Sequence, residues 1–291
     1  MGINAVDTIK KYNLKLTKTL GQNFLRDNNI VKKIAEAAEI TKDDAVIEVG
    51  PGIGTLTCEL AQRAGQVVAV EIDKRLITPL SENLKGFSNV HIINKDILKM
   101  DIEQEINLIL KAELFVTKTR PVKVVANLPY YITTPVIMKF LEEGPLADIM
   151  VFMVQKEVAD RIVAKPGGKD YGALSVAVQY YSKPERMFNV LSGCFIPRPD
   201  VDSTVIRLRV NKNPPVELMD KKMFFQTVRA CFGQRRKTLL NALHNSGYYK
   251  LDKEEIREVL VNTGINPESR GETLSILQFA QLSNAFFQKD C

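Results

Sequence analysis

Histidine and cysteine are scarce in this chain: two and four residues among 291. Cys58, Cys194, Cys231 and Cys291 are widely spaced, in no metal-binding pairs, and only His91 and His244 stand to assist them. That pattern argues against a disulfide framework and a structural zinc site, so no metal is expected. Long apolar runs are also lacking. None approaches the roughly 18 to 20 residues needed to span a bilayer, and the opening segment MGINAVDTIKKYN has no apolar signal core. A cytoplasmic protein without a membrane partner is expected.

What is present is an ordinary globular composition, 45% hydrophobic and 25% charged, which argues against disorder. The net charge of +6 is modest, but its distribution is uneven: between Lys156 and Lys237 there are 16 Lys or Arg against 8 Asp or Glu. A local basic excess of this kind attracts a polyanion by counterion release, or else forms a solvated surface.

The hydrophobic pattern alternates between short strands and helices. Asn29 to Glu39 has helical spacing. Ala45 to Val49 reads as a strand, Thr55 to Arg63 as a helix, Val67 to Glu71 as a second strand, Leu76 to Leu84 as a helix and Val90 to Ile93 as a third strand. Such an order predicts a parallel sheet with crossover helices. Further strands are predicted at Val122 to Ala126, Ile149 to Val154, Met187 to Val190 and Thr204 to Val210. Helices are expected at Val136 to Leu141, with Thr133 or Thr134 as its cap and Pro135 in its first turn, and at Ala173 to Tyr181. Asn211, Lys212, Asn213, Pro214 and Pro215 break the pattern. The chain is therefore divided into a 1–212 α/β domain and a smaller, mainly helical 213–291 domain. The latter has helices around Lys222 to Ala230, Arg236 to Leu243, Lys253 to Val261 and Leu274 to Phe286.

The sharpest chemical signal is Val46-Ile47-Glu48-Val49-Gly50-Pro51-Gly52-Ile53-Gly54-Thr55, between a strand and a helix. Glycines at such a turn let a nucleotide-like ligand approach the backbone. A dinucleotide fingerprint would place its third glycine at position 55, which is Thr55, and no Walker lysine follows. A ligand without a pyrophosphate fits better than NAD or ATP. Glu71 closes the next strand, where a carboxylate accepts bonds from ribose hydroxyls. Asp96 follows the third strand, positioned for an adenine amino group, with Ile97 beside it. Glu48 either receives an amine or organises the loop.

Asn127-Leu128-Pro129-Tyr130 directly follows the fourth strand. An adenine N6 amine is a poor nucleophile because its lone pair is delocalised into the ring. Two acceptors, the Asn127 side-chain oxygen and the Leu128 carbonyl, would favour a tetrahedral nitrogen and expose that lone pair. Tyr130 and Phe195 would hold the base between them, stacking being worth about 1 to 3 kcal/mol per base, while Arg198 faces the nucleic-acid backbone. Phe195 as a core plug is the bland alternative. Catalysis would rest on alignment and electrostatics, with no metal or covalent nucleophile. Arg229, Arg235, Arg236 and Lys237 are candidate phosphate contacts, with Arg229 and Arg236 nearly two turns apart if the helix is continuous through Gly233. Lys10, Lys11, Lys15 and Lys18 offer a second contact.

Several of these stretches, taken in order, resemble one family. Leu20-Gly21-Gln22-Asn23-Phe24-Leu25, the glycine loop, Val70-Glu71-Ile72-Asp73, Asp96, Asn127-Leu128-Pro129-Tyr130, Phe195 to Ser203 and Arg270-Gly271-Glu272-Thr273-Leu274 are similar to the bacterial small-subunit ribosomal RNA adenine N6,N6-dimethyltransferase family. The resemblance implies a Rossmann-like S-adenosylmethionine-dependent methyltransferase sheet. It implies that Gln22, Asn23, Gly50, Glu71, Asp96 and Asn127 line the cofactor pocket, with Leu25 near it; Glu48, Gly52, Ile72 and Ile97 stand beside them as candidate cofactor contacts. Asn127, Leu128, Tyr130 and Phe195 would then form the target-adenine site. The implied reaction dimethylates two adjacent adenosines in the 3'-terminal stem-loop of small-subunit ribosomal RNA, within an assembling 30S subunit, by a protein expected to be monomeric. Two alternatives stand beside it: a large-subunit ribosomal RNA adenine methyltransferase of the macrolide-resistance class, and a non-enzymatic RNA-binding factor.

Overall fold

A computed structural model describes residues 3, 5–14, 23–102, 104–106, 109, 122–143 and 147–290. In chain order its strands are β1 (Phe24–Leu25), β2 (Ala45–Val49), β3 (Gln66–Glu71), β4 (Val90–Asn94), β5 (Val122–Asn127), β6 (Ile149–Gln155), β7 (Ser182–Val190), β8 (Phe195–Ile196) and β9 (Ser203–Val210). The first helices are α1 (Ala5–Lys11), α2 (Asn28–Ala37), α3 (Thr55–Arg63) and α4 (Lys74–Asn83).

Seven strands form one sheet in the order β4-β3-β2-β5-β6-β9-β7, and β1 pairs with β8 in a separate two-stranded sheet. The pairs β4–β3, β3–β2, β2–β5 and β5–β6 are parallel, whereas β6–β9 is antiparallel. This is the Rossmann-like arrangement expected. Its central strands are buried on both faces, so β2, β3 and β6 read as nearly unbroken apolar runs rather than alternating ones. Chain order reverses between β2 and β5, and ligands of open α/β sheets gather at the carboxyl ends of strands flanking such a reversal.

Lys123 stands out as a charge inside β5. It is 6% exposed, and its ammonium pairs with the buried Asp44 at 2.8 Å and also donates to the Glu39 carbonyl. A paired, hydrogen-bonded ammonium is tolerated where a lone one is not. β7 runs five residues earlier than the hydrophobic pattern suggested and contains Pro184. β7 is the edge strand of the sheet, where proline is tolerated.

The chain forms two compact units: Met1–Ala159 with Lys183–Val210, and Asp160–Ser182 with Asn211–Cys291. The linear cut at 212 differs from this by one excursion. The helix Ala173–Tyr181 buries Val176 and Tyr180 in the same apolar cluster as Phe224, Val228, Phe279 and Phe286, which places Asp160–Ser182 with the later helices. In this second unit helices span Lys221–Gly233, Leu239–His244, Lys253–Asn262 and Ile276–Asp290.

Two expected helix starts are corrected. The helix expected from Arg236 begins at Leu239, because Thr238 caps it by accepting from Asn241 N; Arg229 and Arg236 therefore do not share a continuous helix. Neither Thr133 nor Thr134 caps the helix Thr133–Glu142. A 3-10 turn, Tyr130–Ile132, leads into it, and the Thr133 hydroxyl instead bonds back to the Pro129 carbonyl at 3.3 Å.

Candidate active site

The carboxyl ends of β2, β3 and β5 meet at a cavity of about 350 Å³. Its floor is the glycine loop. Gly50, Gly52 and Gly54 have φ of +70°, +61° and +91°, which L side chains rarely adopt. A β-carbon on Gly50 would meet nothing within 4 Å, whereas one on Gly52 would lie 2.7 Å from Phe24 Cε1. The loop is therefore open toward the cavity at Gly50 and closed by an aromatic ring at Gly52.

Three carboxylates surround this floor in different states. Glu48 is 1% exposed, and its Oε2 has no hydrogen-bond partner. Burial pushes its carboxyl up to about 8, with the charge of Glu71 acting in the same direction. The Thr55 hydroxyl at the start of α3 is likewise buried and unpartnered. Glu71 accepts from Gly52 N at 3.0 Å and from Asp73 N at 2.8 Å; burial still holds it above the ordinary carboxylate value. Asp96 caps the turn Ile97–Lys99 by accepting from Leu98 N at 3.0 Å, and it lines the cavity as well. Ile97 is buried, while Ile72 is 52% exposed on the cavity wall.

The far wall is Asn127 to Ile132. Asn127 ends β5, and its Nδ2 donates to the main-chain carbonyl of Asn23 at 3.1 Å. Leu128 is buried. Tyr130 is half-buried and shares a 3.0 Å hydrogen bond with the Ser203 hydroxyl, which fixes the tip of its ring. Phe195 is 3% exposed and sits on β8, paired with Leu25 of β1. It both packs into the apolar cluster under the sheet and lines the cavity, so plug and wall are one role.

Asn23, Leu25, Glu48, Gly50, Gly52, Glu71, Ile72, Asp96, Ile97, Asn127, Leu128, Tyr130 and Phe195 thus all line one cavity. Gln22 lies outside the described residues, as do Lys15 and Lys18. The cavity adds residues that sequence reasoning missed, among them Phe24, Thr55, Lys95 and Tyr131. Tyr131 is 56% exposed. Its place directly after Tyr130 was the available signal.

The basic residues are less uniform. Arg198 is exposed and donates from Nε to the Ser192 hydroxyl at 3.0 Å. Arg229, Arg236 and Lys237 are exposed on the second unit. Arg235 is tied down: its Nη2 donates to the carbonyls of Lys169 and Tyr171 at 2.6 and 3.1 Å, with Glu272 at 3.7 Å. Arg207 and Arg209 are paired with Glu39 and Glu185, which neutralises part of the basic excess. Lys11 pairs with Glu82 at 2.9 Å. Among the described residues no group of three or more His, Cys, Asp or Glu could hold a metal ion, and no helix is long and apolar enough to cross a membrane.

Residues 13–288 match the model of a family described as ribosomal RNA adenine dimethylase. The chain belongs to that family. A relative named ribosomal RNA small subunit methyltransferase A, from Clostridioides difficile (strain 630), is 54% identical over 96% of this chain and 93% of its own length. A relative of the same name from Geobacillus sp. (strain WCH70) is 51% identical over 96% and 94%. Among solved structures, a dimethyladenosine transferase from Plasmodium falciparum superposes with a TM-score of 0.75 at 27% identity, covering 91% of this chain and 98% of that one. A 23S rRNA methyltransferase, ErmE, gives 0.66 at 29%, covering 91% and 100%.

Members of the family are S-adenosylmethionine-dependent methyltransferases, and the residues present fit that cofactor. The open face of Gly50 leaves room for a ligand against the backbone. Glu48 keeps an unpartnered buried oxygen for a cationic amine, and Glu71 and Asp96 bring carboxylates to the same space.

Proposed function

We propose that this chain dimethylates the N6 amines of two adjacent adenosines in the 3'-terminal stem-loop of small-subunit ribosomal RNA, acting on an assembling 30S subunit in the cytoplasm, as a monomer. The observation that carries the reading is the hydrogen bond from Asn127 Nδ2 to the Asn23 carbonyl. A carbonyl can only accept, so it takes the amide's NH₂ end and leaves Oδ1 as the acceptor for a substrate amine.

Glu48, Gly50, Glu71, Ile72, Asp96 and Ile97, together with Asn23 and Leu25, would hold S-adenosylmethionine. That group supplies an electrophilic methyl carbon when bound. Everything else falls to the protein. Asn127 Oδ1 and the Leu128 carbonyl accept from the two N6 hydrogens and withdraw the nitrogen from conjugation. Tyr130, pinned through Ser203, and Phe195, pinned through the β1–β8 pair, hold the ring. The methylated amine is cationic and acidic, so its proton leaves to water without a dedicated base. Since the target base must leave its stack, a loop adenosine costs less to present than one in a helix. The second unit, with Arg229, Arg236 and Lys237 exposed, supports a role in holding RNA phosphates, and Arg198 supports one beside the cavity.

The large-subunit alternative draws on the likeness to ErmE, but 54% identity to a relative named for the small subunit favours the first reading. Incubating the protein and donor with small subunits that lack the modification, followed by mass-spectrometric mapping of the RNA, tests it. Two adjacent dimethyladenosines are expected; none, or a different site, rejects the proposal.

A further inference from the structure

Asn23, Phe24 and Leu25 touch three parts of the site at once. The Asn23 carbonyl receives the Asn127 amide. The Phe24 ring lies so close over the glycine loop that a β-carbon on Gly52 would come within 2.7 Å of it. The strand pairs Phe24 with Ile196 and Leu25 with Phe195. Phe24 is itself 8% exposed and packs in one small cluster with Ala5 of α1, Ile53 of the loop and Leu76 of α4, with Ile196 against its edge.

A ladder of two residue pairs is too short to fix a strand by itself. The Arg26 N–H extends the tie by donating to the Cys194 carbonyl at 2.9 Å, and Phe24 adds side-chain packing against Ile196 of β8, next to Phe195, from the loop side. A close-packed ring transmits displacement rather than absorbing it. Gly52 is also the residue whose N–H is held by Glu71. Any ligand that settles the loop thus settles Gly52, the Phe24 ring and the β8 strand in sequence.

We propose that Phe24 is a positioning residue that couples the two halves of the cavity: it holds the glycine loop and the Phe195 strand at one separation, so that filling the donor half favours binding in the acceptor half. The proposal rests on the function proposed above. Coupling of this kind is reciprocal, so either ligand reports on it.

The test measures binding of the full-length protein to small subunits lacking the modification, with and without saturating S-adenosylhomocysteine. Wild type is expected to bind subunits about fivefold or more tighter when the nucleoside is present. Phe24→Ala brings that ratio to about one, and Phe24→Leu at least halves it, on the same scale. Gly52→Ala, which drives a methyl against the ring, weakens nucleoside binding less in the Phe24→Ala background than in wild type. A residue that merely stabilises the fold would lower the melting temperature and both affinities while leaving the ratio intact. That result, or a wild-type ratio of one, overturns the proposal. If Phe24→Ala does not fold, Phe24→Leu carries the comparison, and an unchanged ratio there overturns it equally. Failure of the functional reading is separable: wild type would then transfer no methyl to small-subunit RNA, whatever the ratio.

Discussion

The Asn127 side chain donates from Nδ2 to the main-chain carbonyl of Asn23 at 3.1 Å, joining the end of the fourth parallel strand to the amino-terminal segment. The bond selects one of the two amide orientations, and the selected one presents an acceptor. Asn127→Ala is expected to lower kcat about 100-fold or more, the scale of losing one preorganised polar group at a reacting centre. Donor binding, measured by calorimetry, should change far less. Normal turnover in a folded variant would remove Asn127 from the chemistry.

Glu71 makes the opposite prediction. Its two oxygens already hold the N–H groups of Gly52 and Asp73, so it shapes the loop as well as offering lone pairs. Glu71→Ala should weaken S-adenosylhomocysteine binding about tenfold or more, a loss of roughly 1.4 kcal/mol or above, with kcat at saturating donor less affected. Equal affinity in the variant and wild type would show that the carboxylate only braces the turn.

Glu48 ties stability to pH. Its carboxyl is raised by burial from 4.5 to about 8 in the folded protein. A raised acid favours folding while it is protonated, so its contribution is fully present below about 4.5 and is lost as pH climbs to about 8. Glu48→Gln should therefore flatten the fall in melting temperature across that window and be the more stable protein at pH 8. Parallel melting curves for the two proteins from pH 5 to 8.5 would refute the burial account. A cationic amine beside Glu48 favours its ionised form, so binding the donor near pH 7 should release protons, and Glu48→Gln should release fewer. Calorimetry in buffers of different ionisation enthalpy reads this directly.

Arg235 and Arg236 are neighbours with different work. Both are exposed, but Arg235 is tethered to the carbonyls of Lys169 and Tyr171. Arg235→Ala should lower the melting temperature by several degrees, since it leaves carbonyls of the second unit short of a charged donor, a loss of about 1 to 3 kcal/mol. Arg236→Ala should leave melting unchanged and reduce the salt slope of RNA binding by about one. The reverse assignment would show that the tether on Arg235 does not decide which arginine contacts phosphate.

The cavity was largely legible in sequence because its parts sit at strand ends. Glu48 and Gly50, Glu71, Asp96 and Asn127 each follow or close an apolar run, and a parallel sheet brings such ends to one edge. What was not legible depends on contacts between distant segments. β1 and β8 are two residues long and carry no periodicity, so Phe24 gave no local sign that it lies on Gly52. The same is true of Arg235, whose partners lie in Asp160–Ser182, a stretch that reads as part of the α/β domain until its helix is seen to bury Val176 and Tyr180 with Phe224. β7 starts at Ser182 rather than Met187, because Lys183, Pro184, Glu185 and Arg186 give its first half no apolar pattern. The helix expected from Arg236 starts only after Thr238, whose capping hydroxyl is a signal the sequence carries.

The most direct measurement is a single-turnover transfer of labelled methyl from prebound donor to an equimolar mixture of unmodified small and large ribosomal subunits. The label is expected in N6-methylated adenosine of small-subunit RNA and nowhere else, and absent with Asn127→Ala. Label in large-subunit RNA, on another atom of the base, or undiminished in the variant would contradict the account.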